Sequence, residues 1–520
     1  MSPRQAEAAP PTPPTRSPAD RDAGLAGLAR GGLLSLAGSA VSAVAGVLLV
    51  LAVTRALPQD TAGVFFTLTS LYLIAETAAR LGTGTGVVWA IARARALGTR
   101  SRVPELLRAA LTPVVALSVL LALGLALGAD TIAAAVTGSA GGEVATAVRV
   151  LAALLPLTAV SETLVAATRG HGAILPTVLI DRLGRSVLQL TAVALVVTTG
   201  SLVALSAAWA LPWVLSALLA AWWLARRLRG SAPPAPRPAR DRTVWREFWG
   251  FTAPRALTSI VQLTLQRLDI VLLTVLAGPA EAAVYTAATR FLVVGQFANQ
   301  ALSNVVEPRI GRLLTVADRS AARTVYQTAT GWLVLVIWPF YLLVAAGADA
   351  VLDLFGSGYD AGVPVVLVLT ATMLVASAVG MVDVVLIMAG RTRWNLGNAV
   401  VALAVNVVVD VALIPVLGLL GAAIGWAAAI LVKNLLPLVQ VWRSMGMHPF
   451  GAGTGVAVAL SLLCFGAVPL LGGLLLPGGP AGVAAPALGC LLYVAGCWRW
   501  RSVLALDGLR VVRRSGGVPA

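Results

Sequence analysis

Polar side chains recur along one face of an apolar stretch that begins at Phe251. Successive members are separated by four, three, four and three residues, a spacing that keeps them on one side of a helix. The members are Arg255, Ser259, Gln262, Gln266 and Asp269. Amide and hydroxyl groups suit sugar hydroxyls and glycan amides, whereas the structural alternative is hydrogen bonding between neighbouring helices. We predict that Gln262 and Gln266 line a polar cavity that binds substrate.

A second polar stripe occupies the next apolar stretch. Its members are Thr289, Gln296, Gln300, Ser303 and Asn304. Both stripes belong to the helices that open the second half of the chain. We therefore expect the two stripes to face water between the two halves of the protein, where Gln296 and Gln300 bind substrate together with Gln262 and Gln266.

Two arginines of the same stretches are candidates for binding phosphate. Arg267 and Arg290 each lie about ten residues from the turn at Pro279, which places both roughly 15 Å along adjacent helices. A guanidinium group binds phosphate oxygens in bidentate fashion. Arg267 points about 100° away from the polar stripe of its own helix, and Asp269 offers Arg290 an alternative partner across the hairpin.

Further charged residues stand in other apolar stretches, where an unpaired charge costs several kcal/mol. Glu76 and Arg80 are four residues apart, so they either neutralise each other or line the cavity, with Arg80 as a third phosphate ligand. Asp383 and Asp410 each have three alternative roles, namely proton transfer, helix capping and pairing between the two halves. The candidates for a coupling-ion or proton site are Glu76, Asp269, Asp383 and Asp410.

The chain around these residues is strongly apolar. Of its 520 residues, 58% are hydrophobic and 12% are charged, with a mean hydropathy of +0.88, whereas about 25% are charged in soluble proteins. So few charges cannot cover a surface in water, and we expect an all-α polytopic membrane protein. About 14 transmembrane helices are predicted: Leu33–Thr54, Ala62–Arg80, Ala110–Leu127, Val144–Thr168, Leu175–Thr198, Leu202–Leu224, Phe251–Ala277, Ala283–Val305, Val325–Ala346, Val363–Met388, Leu396–Leu417, Gly421–Val441, Val456–Leu476 and Ala481–Trp498.

Charge and repetition predict the arrangement of these helices. Arginines cluster in alternate loops, so the positive-inside rule places both termini in the cytoplasm. A shift of about 221 residues superimposes the turn at Pro58 on the turn at Pro279, which indicates a parallel repeat of two pseudo-symmetric six-helix lobes. The predicted segments are a disordered tail (1–30), an N-lobe (31–225), a linker (226–250), a C-lobe (251–445), a final helix pair (446–500) and a second tail (501–520).

Two segments resemble a known family. The first carries Arg30-Gly31-Gly32, Arg55-Ala56-Leu57-Pro58 and Ala62-Gly63-Val64-Phe65, and the second carries Asn406, Asp410, Ile414-Pro415, Gly418 and Gly421-Ala422-Ala423. Both are similar to the polysaccharide export and oligosaccharide-lipid flippase family of the multidrug/oligosaccharidyl-lipid/polysaccharide flippase superfamily. Asp410 stands where that family more often has Asn. The resemblance implies two helix bundles, alternating access and translocation of undecaprenyl-diphosphate-linked glycans across the cytoplasmic membrane.

The expected function is therefore a flippase for polyprenyl-diphosphate-linked oligosaccharides in the plasma membrane. Expected partners are the lipid-linked glycan, membrane lipids and a polysaccharide polymerase or glycosyltransferases. The alternatives are a cation-coupled multidrug exporter, a lipid II flippase and a membrane scaffold that transports nothing. The single lysine, Lys433, is followed by Asn434, so a Walker A loop is excluded. We expect no enzyme activity, cofactor, metal site or nucleic-acid partner.

Overall fold

The structure is a computed structural model that describes residues 18–173, 175–229, 242–475 and 481–507, and every regular element within these ranges is helical. The first half contains α1 (Pro18–Ala56), α2 (Gln59–Arg80), α3 (Thr83–Ala96), α4 (Val103–Leu127), α5 (Ala129–Thr137), α6 (Gly142–Gly170), α7 (Ser186–Val196) and α8 (Leu202–Arg229). The second half contains α9 (Arg242–Ala277), α10 (Pro279–Ala288), α11 (Leu292–Thr315), α12 (Arg319–Ala346), α13 (Ala348–Asp353), α14 (Val363–Val379), α15 (Val382–Met388), α16 (Thr392–Leu417) and α17 (Leu419–Met445). The last helices are α18 (Ala452–Ser461), α19 (Val468–Leu475) and α20 (Ala481–Arg499).

Eleven helices of the described ranges are long and apolar enough to cross a bilayer. The all-α polytopic fold is therefore confirmed, while the predicted number of fourteen is not. The eleven omit three predicted spans: Leu175–Thr198, Ala283–Val305 and Ala481–Trp498. The first contains π-helical turns and the second is divided between α10 and α11, whereas the third is α20.

The ends of the predicted segments differ from the structure at the linker and at the first tail. Helix α8 ends at Arg229 and α9 begins at Arg242, so both extend into the predicted linker 226–250. Helix α1 begins at Pro18, so residues 18–30 are helical and not disordered. Proline at the first position of a helix loses no hydrogen bond, and the alanines and leucines that follow favour helix. Parts of the predicted tails and linker, namely residues 1–17, 230–241 and 508–520, lie outside the described residues.

The helices pack into two bundles. In the first half, α6 contacts α2, α3, α4 and α8, and in the second half α17 contacts α14, α15 and α16. Helix α18 packs against α12, and α19 packs against α20. These contacts agree with two bundles and a peripheral final pair, while the boundaries of the predicted lobes stay a prediction.

Helices α2 and α3 join the two bundles by packing against α9 and α10. Gly63 lies so close to α10 that an added Cβ would stand 1.7 Å from the carbonyl oxygen of Pro279. One helix turn further along α2, the hydroxyl groups of Thr67 and Thr274 form a hydrogen bond. At the other end, the Trp89 ring stacks on Phe251 with their centroids 4.0 Å apart. The bundles therefore touch along the whole length of α2 and α3.

We predict that Gly63→Ala destabilises the protein, because the new methyl group must push α2 away from α10. Overpacking of this kind costs about 1–3 kcal/mol. Gly46→Ala is the matched control, since Gly46 lies within α1 and has no atom near the position of an added Cβ. Thermal unfolding of the purified protein in detergent should show a lower midpoint only for Gly63→Ala. Equal midpoints for the two variants would contradict the close approach of α2 and α10.

Candidate functional site

A cavity of about 410 Å³ lies among helices of the second half, and we call it the amide cavity. All four predicted glutamines line it: Gln262, Gln266, Gln296 and Gln300. Its lining residues run from Gln262 to Asn434. The cavity is therefore built within the second half, whereas we expected a cleft between the halves. Binding of substrate by these glutamines stays a prediction.

Helical periodicity explains why the amides converge. Gln262 and Gln266 are one turn apart on α9, and Gln296 and Gln300 are one turn apart on α11. The amide group of Gln300 donates to the Asn304 side chain at 3.0 Å. Gln266, Gln296 and Gln300 are exposed, so these side chains are accessible from the cavity. Such groups can donate to and accept from a polyhydroxylated ligand.

Besides Asp383, five further polar or aromatic residues of the cavity are absent from the two predicted stripes. They are Asn299, Ser377, Trp426, Lys433 and Asn434. Lys433 could have been identified as a site residue from the sequence, because a charged residue within an apolar helix is a functional candidate by default. The other four could not, since amide, hydroxyl and indole groups are common on packed helix faces.

Arg267 and Arg290, here called the arginine pair, do not line the amide cavity but lie close in sequence to residues that do. Arg267 follows Gln266 on α9, and Arg290 stands in the break between α10 and α11, two residues before Leu292 of the cavity wall. Their guanidinium groups are close enough to repel each other. The Nε of Arg290 donates to the Thr286 carbonyl at 2.8 Å.

The arginine pair has no acidic counterpart in the described part of the chain, because none of the ion pairs found there includes either residue. The alternative partner, Asp269, accepts instead from the Tyr285 hydroxyl at 2.9 Å. The alternative pairing of Asp269 with Arg290 is therefore not formed. The pair is a half-buried, uncompensated positive charge.

Asp269 and Asp410, here called the acid pair, meet in the core of the second half. They are only 2% and 0% exposed, and their carboxyl groups adjoin each other. The Asn406 amide donates to Asp410 Oδ2 at 3.0 Å. A Cβ at Gly425 would stand 1.8 Å from Asp410 Oδ1, so glycine leaves the room that this carboxyl needs. No arginine or lysine in the described residues forms an ion pair with either acid.

Two adjoining buried carboxylates cannot both remain charged without a cation between or beside them. The acid pair must therefore hold a proton or bind a cation. Oδ1 of each carboxyl is buried and has no hydrogen-bond donor from another residue. Of the four acids predicted for ion coupling, the structure brings Asp269 and Asp410 together and places Glu76 and Asp383 elsewhere.

In the first half of the chain, Arg80 and Arg185 form ion pairs with carboxylates. Arg80 Nε lies 2.9 Å from Glu76 Oε1, and its Nη1 lies 3.5 Å from Glu162 Oε2. Arg185 pairs with Asp181 at 2.7 Å. Glu76 and Arg80 thus neutralise each other, as one of the two sequence interpretations proposed. Arg80 already has two carboxylate partners, so it is less available to phosphate than the arginine pair.

Comparison with a family model shows to which protein family the chain belongs. The family model described as "polysaccharide biosynthesis protein" matches residues 66–364, more than half of the chain. The chain belongs to this family. The matched region includes the arginine pair and the four glutamines, whereas Asp383 and Asp410 lie beyond it. No curated protein sequence matches the chain.

Solved structures show the fold. The lipid II flippase MurJ in an inward closed conformation is 11% identical with a TM-score of 0.71, over 91% of this chain and 99% of that chain. An inward-facing multidrug resistance transporter of the MATE family is 18% identical with a TM-score of 0.61, over 78% and 94%. A MOP superfamily transporter from Pyrococcus furiosus is 18% identical with a TM-score of 0.54, over 81% and 95%. The chain therefore has the fold of these membrane transporters.

We predict that the amide cavity is open to water. With the native cysteines replaced by serine, Gln266→Cys and Gln296→Cys should react quickly with a polar methanethiosulfonate reagent, because both positions are exposed. Leu273→Cys is the control, since Leu273 lies on the same helix as Gln266 and is fully buried. Mass spectrometry of the labelled protein measures the reaction. Failure of both cavity positions to react would show that the amides are packed against protein.

Proposed function

We propose that this protein is a flippase that moves polyprenyl-diphosphate-linked oligosaccharides across the plasma membrane. The observation that carries the proposal is the arginine pair, which lies uncompensated beside a cavity lined with amides. Two guanidinium groups held together at membrane depth are costly without a counter-charge. A diphosphate supplies that charge and presents several oxygens to the forked donors of arginine.

The arginine pair is followed by the amide cavity in the protein, just as the diphosphate is followed by the first sugar in such a substrate. In a polyprenyl-diphosphate glycan the first sugar is bonded directly to the diphosphate. Here Arg267 follows Gln266 and Arg290 stands two residues before Leu292, so the backbone of the arginine pair adjoins the wall of the amide cavity. A diphosphate held by the arginine pair would therefore deliver its sugar to the side-chain amides.

Other substrates fit these charges less well. A multidrug exporter for organic cations needs an excess of negative charge, whereas the amide cavity contains one acid and one base and adjoins a positive pair. A lipid II flippase would bind the diphosphate of its substrate with the same arginines. It therefore differs from the proposed flippase only in the glycan that is transported.

The acid pair supports a mechanism of energy coupling. We propose that Asp269 and Asp410 bind and release a proton or a monovalent cation as the two lobes, 31–225 and 251–445, alternate between two orientations. The arginine-rich loops favour cytoplasmic termini, which would place the turns at Pro58 and Pro279 outside. A polysaccharide polymerase or a glycosyltransferase would then act before or after the transfer.

We predict that Arg267→Gln and Arg290→Gln each weaken the binding of farnesyl diphosphate roughly ten- to hundredfold, because each removes charge-assisted hydrogen bonds worth about 1.5–3 kcal/mol. Isothermal titration of the purified protein in detergent measures the affinity. The same variants should slow the flipping of a fluorescent prenyl-diphosphate glycan in liposomes.

Arg149→Gln is the matched control, since Arg149 forms an exposed ion pair with Asp130 at 2.7 Å and touches no part of the site. It should bind and flip as the wild type does. Normal binding by both Arg267→Gln and Arg290→Gln would refute the assignment of the arginine pair to phosphate.

A second prediction concerns the acid pair. Asp410→Asn removes one of two coupled carboxyl groups but keeps the side-chain size, so flipping should continue at a low rate that no longer responds to a proton or sodium gradient. Asp353→Asn, which changes an exposed acid, should keep the full response. Liposomes with imposed gradients provide the measurement, and a wild-type response in Asp410→Asn would exclude the acid pair as the coupling site.

A further inference from the structure

The amide cavity holds one cation and one anion that do not form an ion pair. Lys433 is the only lysine of the chain and lies on α17, whereas Asp383 lies on α15, and both line the cavity. The two charges attract each other. Even so, the Lys433 nitrogen and the Asp383 oxygens are more than 4.0 Å apart, since no ion pair of the described residues joins these two side chains. Oδ1 of Asp383 also has no hydrogen-bond partner.

Such a separated pair is suited to a ligand that fits between its members. A charged lysine in an apolar helix needs water or a polar partner. A sugar hydroxyl is both a donor and an acceptor, so it can accept from the Lys433 ammonium and donate to the Asp383 carboxylate at once. Water can bridge the two groups in the same way when no sugar is bound.

The rest of the cavity wall supports a sugar ring. Trp426 lies seven residues before Lys433 on α17, hence on the same face, and offers an apolar surface to the C–H face of a pyranose. Asn299 and Asn434 add amide groups. The cavity volume of about 410 Å³ falls within the range of about 300–1,000 Å³ that is typical of small-molecule sites.

We propose that Lys433 and Asp383 form the two poles of a subsite for an uncharged, hydroxylated sugar. This proposal rests on the proposed function, because the sugar enters the cavity as part of a diphosphate-linked glycan held by the arginine pair. The two opposite charges make the subsite neutral as a whole. A carboxylate on the sugar can accept from Lys433 but cannot donate to Asp383, whereas a hydroxyl can bond to both poles, so a neutral hexose should bind better than a hexuronic acid.

The test compares three probes on the full-length protein in detergent: farnesyl diphosphate, farnesyl-diphosphate glucose and farnesyl-diphosphate glucuronic acid. Isothermal titration of the wild type should give roughly tenfold tighter binding of the glucose probe than of farnesyl diphosphate, as expected for one charge-assisted hydrogen bond. The glucuronic acid probe should not show this gain. Lys433→Met and Asp383→Asn should each remove the gain from glucose.

Binding of farnesyl diphosphate by these two variants shows that they are folded. Arg443→Met is the matched control, because it removes a charge from the same helix at an exposed position away from the cavity, and it should retain the full gain. The proposal is overturned if glucose adds no affinity in the wild type, if both variants keep the gain, or if glucuronic acid binds best. If farnesyl diphosphate itself fails to bind, the proposed function is contradicted, and the sugar subsite with it.

Discussion

A charge inside a bundle of membrane helices must find a counter-charge, a proton or water, and this constraint distinguishes the two halves of the protein. In the first half, Arg80 is matched by Glu76 and Glu162, and Arg185 by Asp181. In the second half, the arginine pair and the acid pair each bring like charges together. These first-half arginines are thus neutralised by carboxylates, whereas the arginine pair and the acid pair are not neutralised by ion pairs within the described residues. We infer that binding and coupling both belong to the second half.

The backbone makes these unbalanced sites possible. The break between α10 and α11 places Arg290 beside Arg267 and next to the cavity wall, which a continuous helix would not do. Gly425 leaves space for the Asp410 carboxyl. At the same time, the close packing of α2 against α9 and α10 holds the two bundles together.

Much of this site follows from local sequence, and the rest depends on contacts that are distant along the chain. Helical spacing predicted that Gln262 and Gln266 share a face of one helix and that Gln296 and Gln300 share a face of the next, because that property is set within one or two turns. It did not predict that Asp269 meets Asp410, or that Asp383 and Lys433 share a cavity, since these contacts depend on how α9, α15, α16 and α17 pack. Apolar composition predicted the membrane fold, but interrupted helices such as α10 and α11 left the number of spans unconfirmed.

The central claim is that the arginine pair binds the diphosphate of a lipid-linked sugar. Electron cryomicroscopy of the protein in nanodiscs with farnesyl-diphosphate glucose tests it most directly. The claim predicts density for the diphosphate within hydrogen-bonding distance of the guanidinium groups of Arg267 and Arg290, with the sugar in the amide cavity. A diphosphate bound at Arg80 in the first half, with the arginine pair free of ligand, would contradict it.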